Sequence, residues 1–353
     1  MRGPRAVIDL GAVVANWTTF QRLGGTAECA AVVKADAYGF GAAPVAQALG
    51  KAGARTFFTA TLGEALAVRE AVGPGPAIVA LNGPAGSELS VYRSAHITAC
   101  LNTLPQAALW GQSGGGSPCV VHIDTGMNRL GLRPEEAAEA AALLAAAPPA
   151  LVMSHLACAS DAAHPMNETQ RARFVAAAAA FPGAKRSLAA SAGAQLGAGF
   201  AFDMIRPGVG LYGWDGMDRP TTPLACAATV TAPVLQRRRV PAGETCGYGA
   251  TFTAQRDLDA VIIACGYADG FFRTGSGAAA VAFAGMRLPV LGRVSMDLLI
   301  VDATAAPGLS EGDWVEIVGP TATAATVAAA AGTVAYEVFT TFVGRAHKSY
   351  RGA

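Results

Sequence analysis

The chain has 353 residues, 52 % of them apolar, with 26 lysines and arginines against 25 acids and a net charge of +1 at pH 7. That length exceeds what one hydrophobic core usually holds, so two domains are expected, and the near-neutral charge argues against a nucleic acid or an anionic membrane surface as partner. Seven scattered cysteines with no CxxC pair point to reduced, buried thiols and to no metal site, and no stretch reads as a signal peptide or a membrane span, so a cytoplasmic protein is expected.

Along the chain, short apolar segments alternate with helical ones. Candidate strands cover 30–34, 56–60, 77–81, 97–101, 119–123, 151–155, 186–190 and 202–206, with helix-like stretches such as 63–72, 134–147 and 166–180 between them. Eight continuous apolar strands alternating with helices predict an α/β fold, a (β/α)8 TIM-like barrel over 1–222. From 223 to 353 the texture changes to Val-, Thr- and Ile-rich pieces punctuated by Gly and Pro, at 226–240, 244–252, 259–266, 278–284, 288–303 and 314–318, which predicts a mainly β second domain.

Active sites of such barrels lie at the C-terminal ends of the strands. Lys34 ends the first strand, one of only four lysines against twenty-two arginines, and a lysine closing an apolar strand needs a reason. Asp124 and Arg129 follow the fifth strand, His155 ends the sixth, Ser191 follows the seventh, and Arg206 ends the eighth before Pro207-Gly208-Val209-Gly210. Loops after the seventh and eighth strands commonly bind phosphate, because glycine lets backbone N–H groups approach an anion. A lysine facing a phosphate cradle across a barrel mouth suggests pyridoxal 5′-phosphate, an aldehyde with a phosphate handle. Taken singly, each residue has a structural explanation: a snorkelling lysine, a core histidine, a helix cap, an ion-pair donor. Nothing in those explanations would bring all of them to one end of one barrel.

The string AVVKADAYGFGA at 31–42 resembles the cofactor-lysine signature of the alanine racemase family, the bacterial, pyridoxal-phosphate-dependent type. HIDTGMNRLGL at 122–132, IRPGVGLYG at 205–213, GYGATF at 247–252, GYADG at 266–270 and GRVSMD at 292–297 resemble further blocks of that family in the same order.

The resemblance implies an amino-acid racemase (an isomerase) that interconverts L- and D-alanine by a two-base mechanism and supplies D-alanine for peptidoglycan. A broad-specificity or serine racemase of the same fold is the alternative. It implies that Lys34 carries pyridoxal phosphate and serves as one base, and that Tyr248 is the other, contributed by the neighbouring subunit of a homodimer with composite active sites. Phosphate contacts map onto Tyr38, Ser191, Gly208, Val209 and Tyr336. Arg206 maps onto the residue facing the pyridine nitrogen, with His155 hydrogen-bonded behind it. Arg129 and Met296 map onto residues that hold the substrate carboxylate, and Tyr267 onto one lining the entrance. Three positions depart from the family pattern. His122 stands where many members carry a carbamylated lysine that braces the residue matching Arg129, Asn128 replaces a glycine, and Ala190 replaces an asparagine.

Overall fold

The computed structural model describes residues 3–113, 117–342 and 346–352. Its contacts divide the chain into two units, Ala12–Ala37 with Gly41–Ala225, and Met1–Gly11 with Tyr38–Phe40 and Cys226–Ala353. The expected boundary at 222/223 differs from this division at the N-terminus. The first strand of the chain, β1 (Arg5–Asp9), belongs by its hydrogen bonds to the C-terminal unit rather than to the barrel.

The larger unit is the barrel. Its strands are β2 (Glu28–Cys29), β3 (Ala31–Val32), β4 (Thr56–Thr59), β5 (Ala77–Ala80), β6 (Thr98–Leu101), β7 (Cys119–His122), β8 (Leu151–Met153), β9 (Lys185–Ser187) and β10 (Met204–Ile205). From β3 to β9 each strand pairs in parallel with the next, in registers such as Val32↔Phe58 and Val121↔Val152. β10 closes the ring. It pairs in parallel with β2, and on its other side the amides of Asp203 and Arg206 donate to the carbonyls of Arg186 (3.0 Å) and Ala189 (2.9 Å). β2 and β3 are thus two halves of one barrel strand, joined at Ala30.

Strands buried along their whole length, such as β4 and β6, need cover on both faces, which the intervening helices supply. The helix Leu62–Val72 begins on a capping box: Thr61 Oγ1 accepts from Glu64 N at 3.2 Å, while the Glu64 carboxylate reaches back to the amide of Thr61 at 3.4 Å. The first barrel strand was expected to run through Lys34. It ends at Val32, because the backbone turns sharply at the lysine.

The other unit is mainly β, built from β1 together with β11 (Ala228–Val240), β12 (Thr245–Cys246), β13 (Phe252–Thr253), β14 (Leu258–Ile263), β15 (Ala280–Phe283), β16 (Met286–Pro289), β17 (Leu299–Asp302), β18 (Trp314–Val318) and β19 (His347–Arg351). β11 organises it, pairing antiparallel with β1, β18 and β14 and bending at a register shift between Val234 and Gln236. β1 lies between β11 and β19, with Ala6 and Ile8 buried. Two helices, Ala324–Ala331 and Ala335–Thr341, complete the unit. Among the described residues no helix is long and apolar enough to cross a membrane.

An interior position for β1 makes a residue eight places from the N-terminus a core residue. Ile8→Ala should cost about 2–5 kcal/mol, the range for truncating a buried aliphatic side chain. A thermal melt checks this, and a Tm within experimental error of wild type would contradict the placement.

Candidate active site

Lys34 opens a turn whose next four residues are left-handed: Ala35, Asp36, Ala37 and Tyr38 have φ of 52°, 53°, 54° and 55°. None is glycine, so each carries on the order of 1–2 kcal/mol of steric cost that surrounding contacts must offset. They are identifiable. Ala35 N donates to Glu64 Oε1 at 2.9 Å, Ala37 N to the Val33 carbonyl at 2.9 Å, and Gly41 N and Ala42 N to the carbonyl and the Oδ1 of Asp36 at 2.9 and 2.7 Å. The turn leaves Lys34 half-buried at the strand end. Burial and then the nearby Arg129 guanidinium lower its pKa below the usual ammonium value, against an opposing pull from Glu64.

Positive groups crowd this end of the barrel. Arg206 is buried, and although burial lowers its pKa to about 10 it keeps its proton at neutral pH. His155 is driven down to about 3, by burial first and then by Arg206, Arg129, His122 and Lys34. His122 falls to about 4 through burial and then Arg206, with Asp124 opposing and Arg129 assisting. Both imidazoles are therefore neutral at physiological pH. For His122 the tautomer also follows from the network. Asn102 Nδ2 donates to the carbonyls of Leu81 (2.9 Å) and Cys100 (3.1 Å), so its Oδ1 faces His122 Nδ1 at 2.9 Å and must accept. The proton sits on Nδ1, and Nε2 presents a lone pair.

Arg129 is held from its backbone. Asp124 accepts from the amides of Gly126 (2.8 Å), Met127 (2.9 Å) and Arg129 (3.0 Å). Burial raises the Asp124 pKa, but backbone hydrogen bonds from this loop outweigh it and leave the group below the usual carboxylate range. Asn128 sits in this loop at φ 55°, the left-handed geometry expected of an asparagine at a glycine position.

After the seventh and eighth strands, Ser191 Oγ accepts from the amides of Gly208 (3.0 Å) and Gly210 (3.1 Å). Val209 between them is buried. A Cβ at Gly210 would lie 2.2 Å from the Phe20 ring, so the loop can approach this closely only with glycine there. With both amides donating to it, Ser191 Oγ ties down the glycine loop and keeps its own O–H as a donor, beside a strongly cationic strand-end cluster. A hydroxyl donor among surplus positive charge fits a phosphate, and the depressed lysine fits an aldehyde partner. Arg206 differs from expectation in its support. Its guanidinium donates to Ser187 Oγ and to the Ser154 carbonyl, and among the described residues no hydrogen bond joins it to His155, on which it acts through its charge. The backbone of His155 is fixed separately, its carbonyl accepting from Gln170 Nε2 at 2.9 Å.

The structure therefore brings Lys34, Arg129, His155, Ser191, Arg206, Gly208 and Val209 to the strand C-termini of the barrel unit. Tyr38, Tyr248, Tyr267, Met296 and Tyr336 belong to the other unit. There Tyr38 and Tyr336 are ring neighbours, centroids 6.3 Å apart, and burial followed by the Tyr336 phenol pushes the Tyr38 pKa above the ordinary range. Tyr248 is 69 % exposed in a short turn between β12 and β13, where a Cβ at Gly249 would lie 3.0 Å from Arg293 Nη1. Tyr267 N donates to Ser295 O (3.0 Å) and Ala268 N to Met296 O (2.9 Å), which packs the 266–270 turn on the 292–297 loop. Sequence reasoning passed over Glu64, Asn102, Ser187 and Arg293. Only Glu64 carried a local signal, the Thr61–Glu64 capping-box spacing.

The neutral histidines set a pH dependence. In the unfolded chain an imidazole takes up its proton near 6.5, whereas in the fold His122 does so near 4, so acid favours unfolding between those values. Their contribution is present above pH 6.5 and is lost as the pH falls towards 4. Tm should drop across that window, and His122→Asn should flatten the slope. An equal slope in the variant would contradict a neutral His122.

Comparison with known proteins agrees with the geometry. Residues 8–215 match the family model described as alanine racemase, N-terminal domain, and residues 227–350 match that for the alanine racemase C-terminal domain. The chain is 40 % identical to an alanine racemase of Rhizobium meliloti, covering 99 % of this chain and 97 % of the relative. It is 42 % identical to one described as catabolic from Mesorhizobium japonicum, covering 99 % and 94 %. The crystal structure of the Bartonella henselae alanine racemase with covalently bound pyridoxal phosphate superposes with a TM-score of 0.94 at 37 % identity, covering 99 % of this chain and all of that one. The chain belongs to the alanine racemase family.

Proposed function

We propose that this chain is a pyridoxal-phosphate-dependent isomerase that interconverts L- and D-alanine, with two bases acting on opposite faces of the substrate. The observation that carries the reading is Lys34: an amine of lowered pKa on a braced turn, at the same barrel end as the Ser191–Gly208–Gly210 cradle and a surplus of positive charge. Lys34 would hold the cofactor aldehyde, and Ser191, Gly208, Val209, Tyr38 and Tyr336 its phosphate. Arg206 would face the ring nitrogen. When bound, pyridoxal phosphate supplies an electron sink that acidifies the Cα–H of an attached amino acid.

Arg206 would limit that sink. A guanidinium that keeps its proton can only donate, so it would leave a ring nitrogen facing it as an acceptor and favour return of the proton at Cα. Lys34 Nζ removes or delivers the proton on one face, serving the D-enantiomer. Tyr248 Oη does the same on the opposite face for the L-enantiomer. Arg129 and the backbone N–H of Met296 hold the carboxylate, and Tyr267 lines the entrance.

Tyr248 acts, in this reading, on the site of a second copy of the chain. Its high exposure supports that, together with the exposed Tyr267 (41 %), Met296 (53 %) and Leu298 (38 %). Backbone contacts with the 292–298 loop bring the turns that carry Tyr248 and Tyr267 beside Met296 and Leu298. A homodimer with composite sites would cover them.

Product chirality from L-alanine, with and without added pyridoxal phosphate, tests the activity, and parallel rates with serine, arginine and lysine test its breadth. Equal formation of D-alanine and dependence on the cofactor are expected, and enantiopure recovery of L-alanine would contradict the reading. Arg206→Glu should slow racemisation and raise the share of transamination, whereas an unchanged product ratio would refute the role given to the guanidinium.

A further inference from the structure

We infer that Glu64 is a positioning residue for Lys34: one carboxylate oxygen holds the left-handed turn beside the lysine, and the other holds the start of the helix Leu62–Val72. This rests on the reading of Lys34 as a proton carrier.

The hydrogen bonds define the geometry. Glu64 Oε1 accepts from Ala35 N at 2.9 Å, and Oε2 accepts from Ala60 N at 2.7 Å and Thr61 N at 3.4 Å. Its own amide donates to Thr61 Oγ1. An ordinary capping box closes on its own helix, but this one extends across to the residue after Lys34. Asp36 secures the far end of the turn by accepting from Ala42 N. Glu64 secures the near end, where Ala35 is the first of the four left-handed residues. Glu64 is thus the acceptor for Ala35 N–H at the point where the chain leaves Lys34, while Val33 and Asp36 hold the rest of the turn.

The charge has its own consequence. The groups acting on Lys34 are Arg129, which disfavours its proton, and Glu64, which favours it, while His155 nearby is held neutral. A residue that alternately gives and takes a proton is served by this opposition, because Glu64 pulls against the lowering by burial and Arg129.

The test compares the full chain with Glu64→Gln, Glu64→Asp and Thr61→Ala, using two readouts. One is the pH midpoint for capture of pyridoxal 5′-phosphate by Lys34, followed by absorbance in protein freed of cofactor. The other is hydrogen exchange at the Ala35 amide, which needs no cofactor. Glu64→Gln removes the charge and turns an NH2 or a single carbonyl towards several donors. Its midpoint should move down by about half to one pH unit, and Ala35 should exchange about tenfold faster. Glu64→Asp keeps the charge but withdraws it by one methylene, so exchange should quicken with a smaller midpoint shift, and this arm serves if the Gln variant folds poorly. Thr61→Ala breaks the other half of the capping box and should lower Tm while leaving both readouts in place. Unchanged Ala35 exchange in both Glu64 variants, or an equal midpoint shift in Thr61→Ala, would overturn the proposal. Failure of the wild-type chain to capture the aldehyde at Lys34 would instead count against the proposed function, and the exchange readout would still decide the role of Glu64.

Discussion

Crowding of positive charge at one end of the barrel is the constraint on which the rest of the site depends. Lys34, Arg129 and Arg206 converge there, and the two acids that act among them, Glu64 and Asp124, are both engaged by backbone amides. Burial first, and then these neighbouring charges, lower the pKa of Lys34 and of the two imidazoles. An anion carrying a phosphate would relieve this repulsion, so the charges that oppose one another here are also those that favour its binding.

Charge and strain sit next to paired strand ends. Arg206 follows β10, the strand that closes the ring, and its guanidinium donates to Ser187, the last residue of β9, and to Ser154, just after β8. The left-handed turn after Lys34 begins where β3 is paired with β4, and Val33 N still donates to the Phe58 carbonyl at 2.9 Å. Strain at a functional residue persists when its surroundings over-determine it, and here the acceptors from Glu64, Asp36 and Val33 do so.

Much of this was legible in the residues alone. The alternation of apolar and helical segments located the barrel strands to within a few positions, and their ends located Lys34, Arg129, Ser191 and Arg206, because strand direction in this fold dictates where chemistry can sit. What stayed hidden depends on tertiary context. Ala35-Asp36-Ala37 contains no glycine to announce a left-handed path. Arg5–Asp9 looks like any short edge strand, and only pairing with β11 and β19 assigns it to the C-terminal unit. The Asn102 contact that sets the His122 tautomer spans neighbouring strands, and the Ser187 and Ser154 contacts that replace His155 behind Arg206 are likewise set by strand register.

The central claim is that Lys34 and Tyr248 are opposed bases contributed by different copies of the chain. Mixing separately purified Lys34→Ala and Tyr248→Phe proteins under conditions that exchange subunits tests it most directly. Each parent should be inactive, but a mixed dimer would contain one site with both bases intact, so activity should recover to about a quarter of wild type on random exchange. Persistent inactivity despite demonstrated subunit exchange would contradict the composite site, as would full activity of the Tyr248→Phe parent.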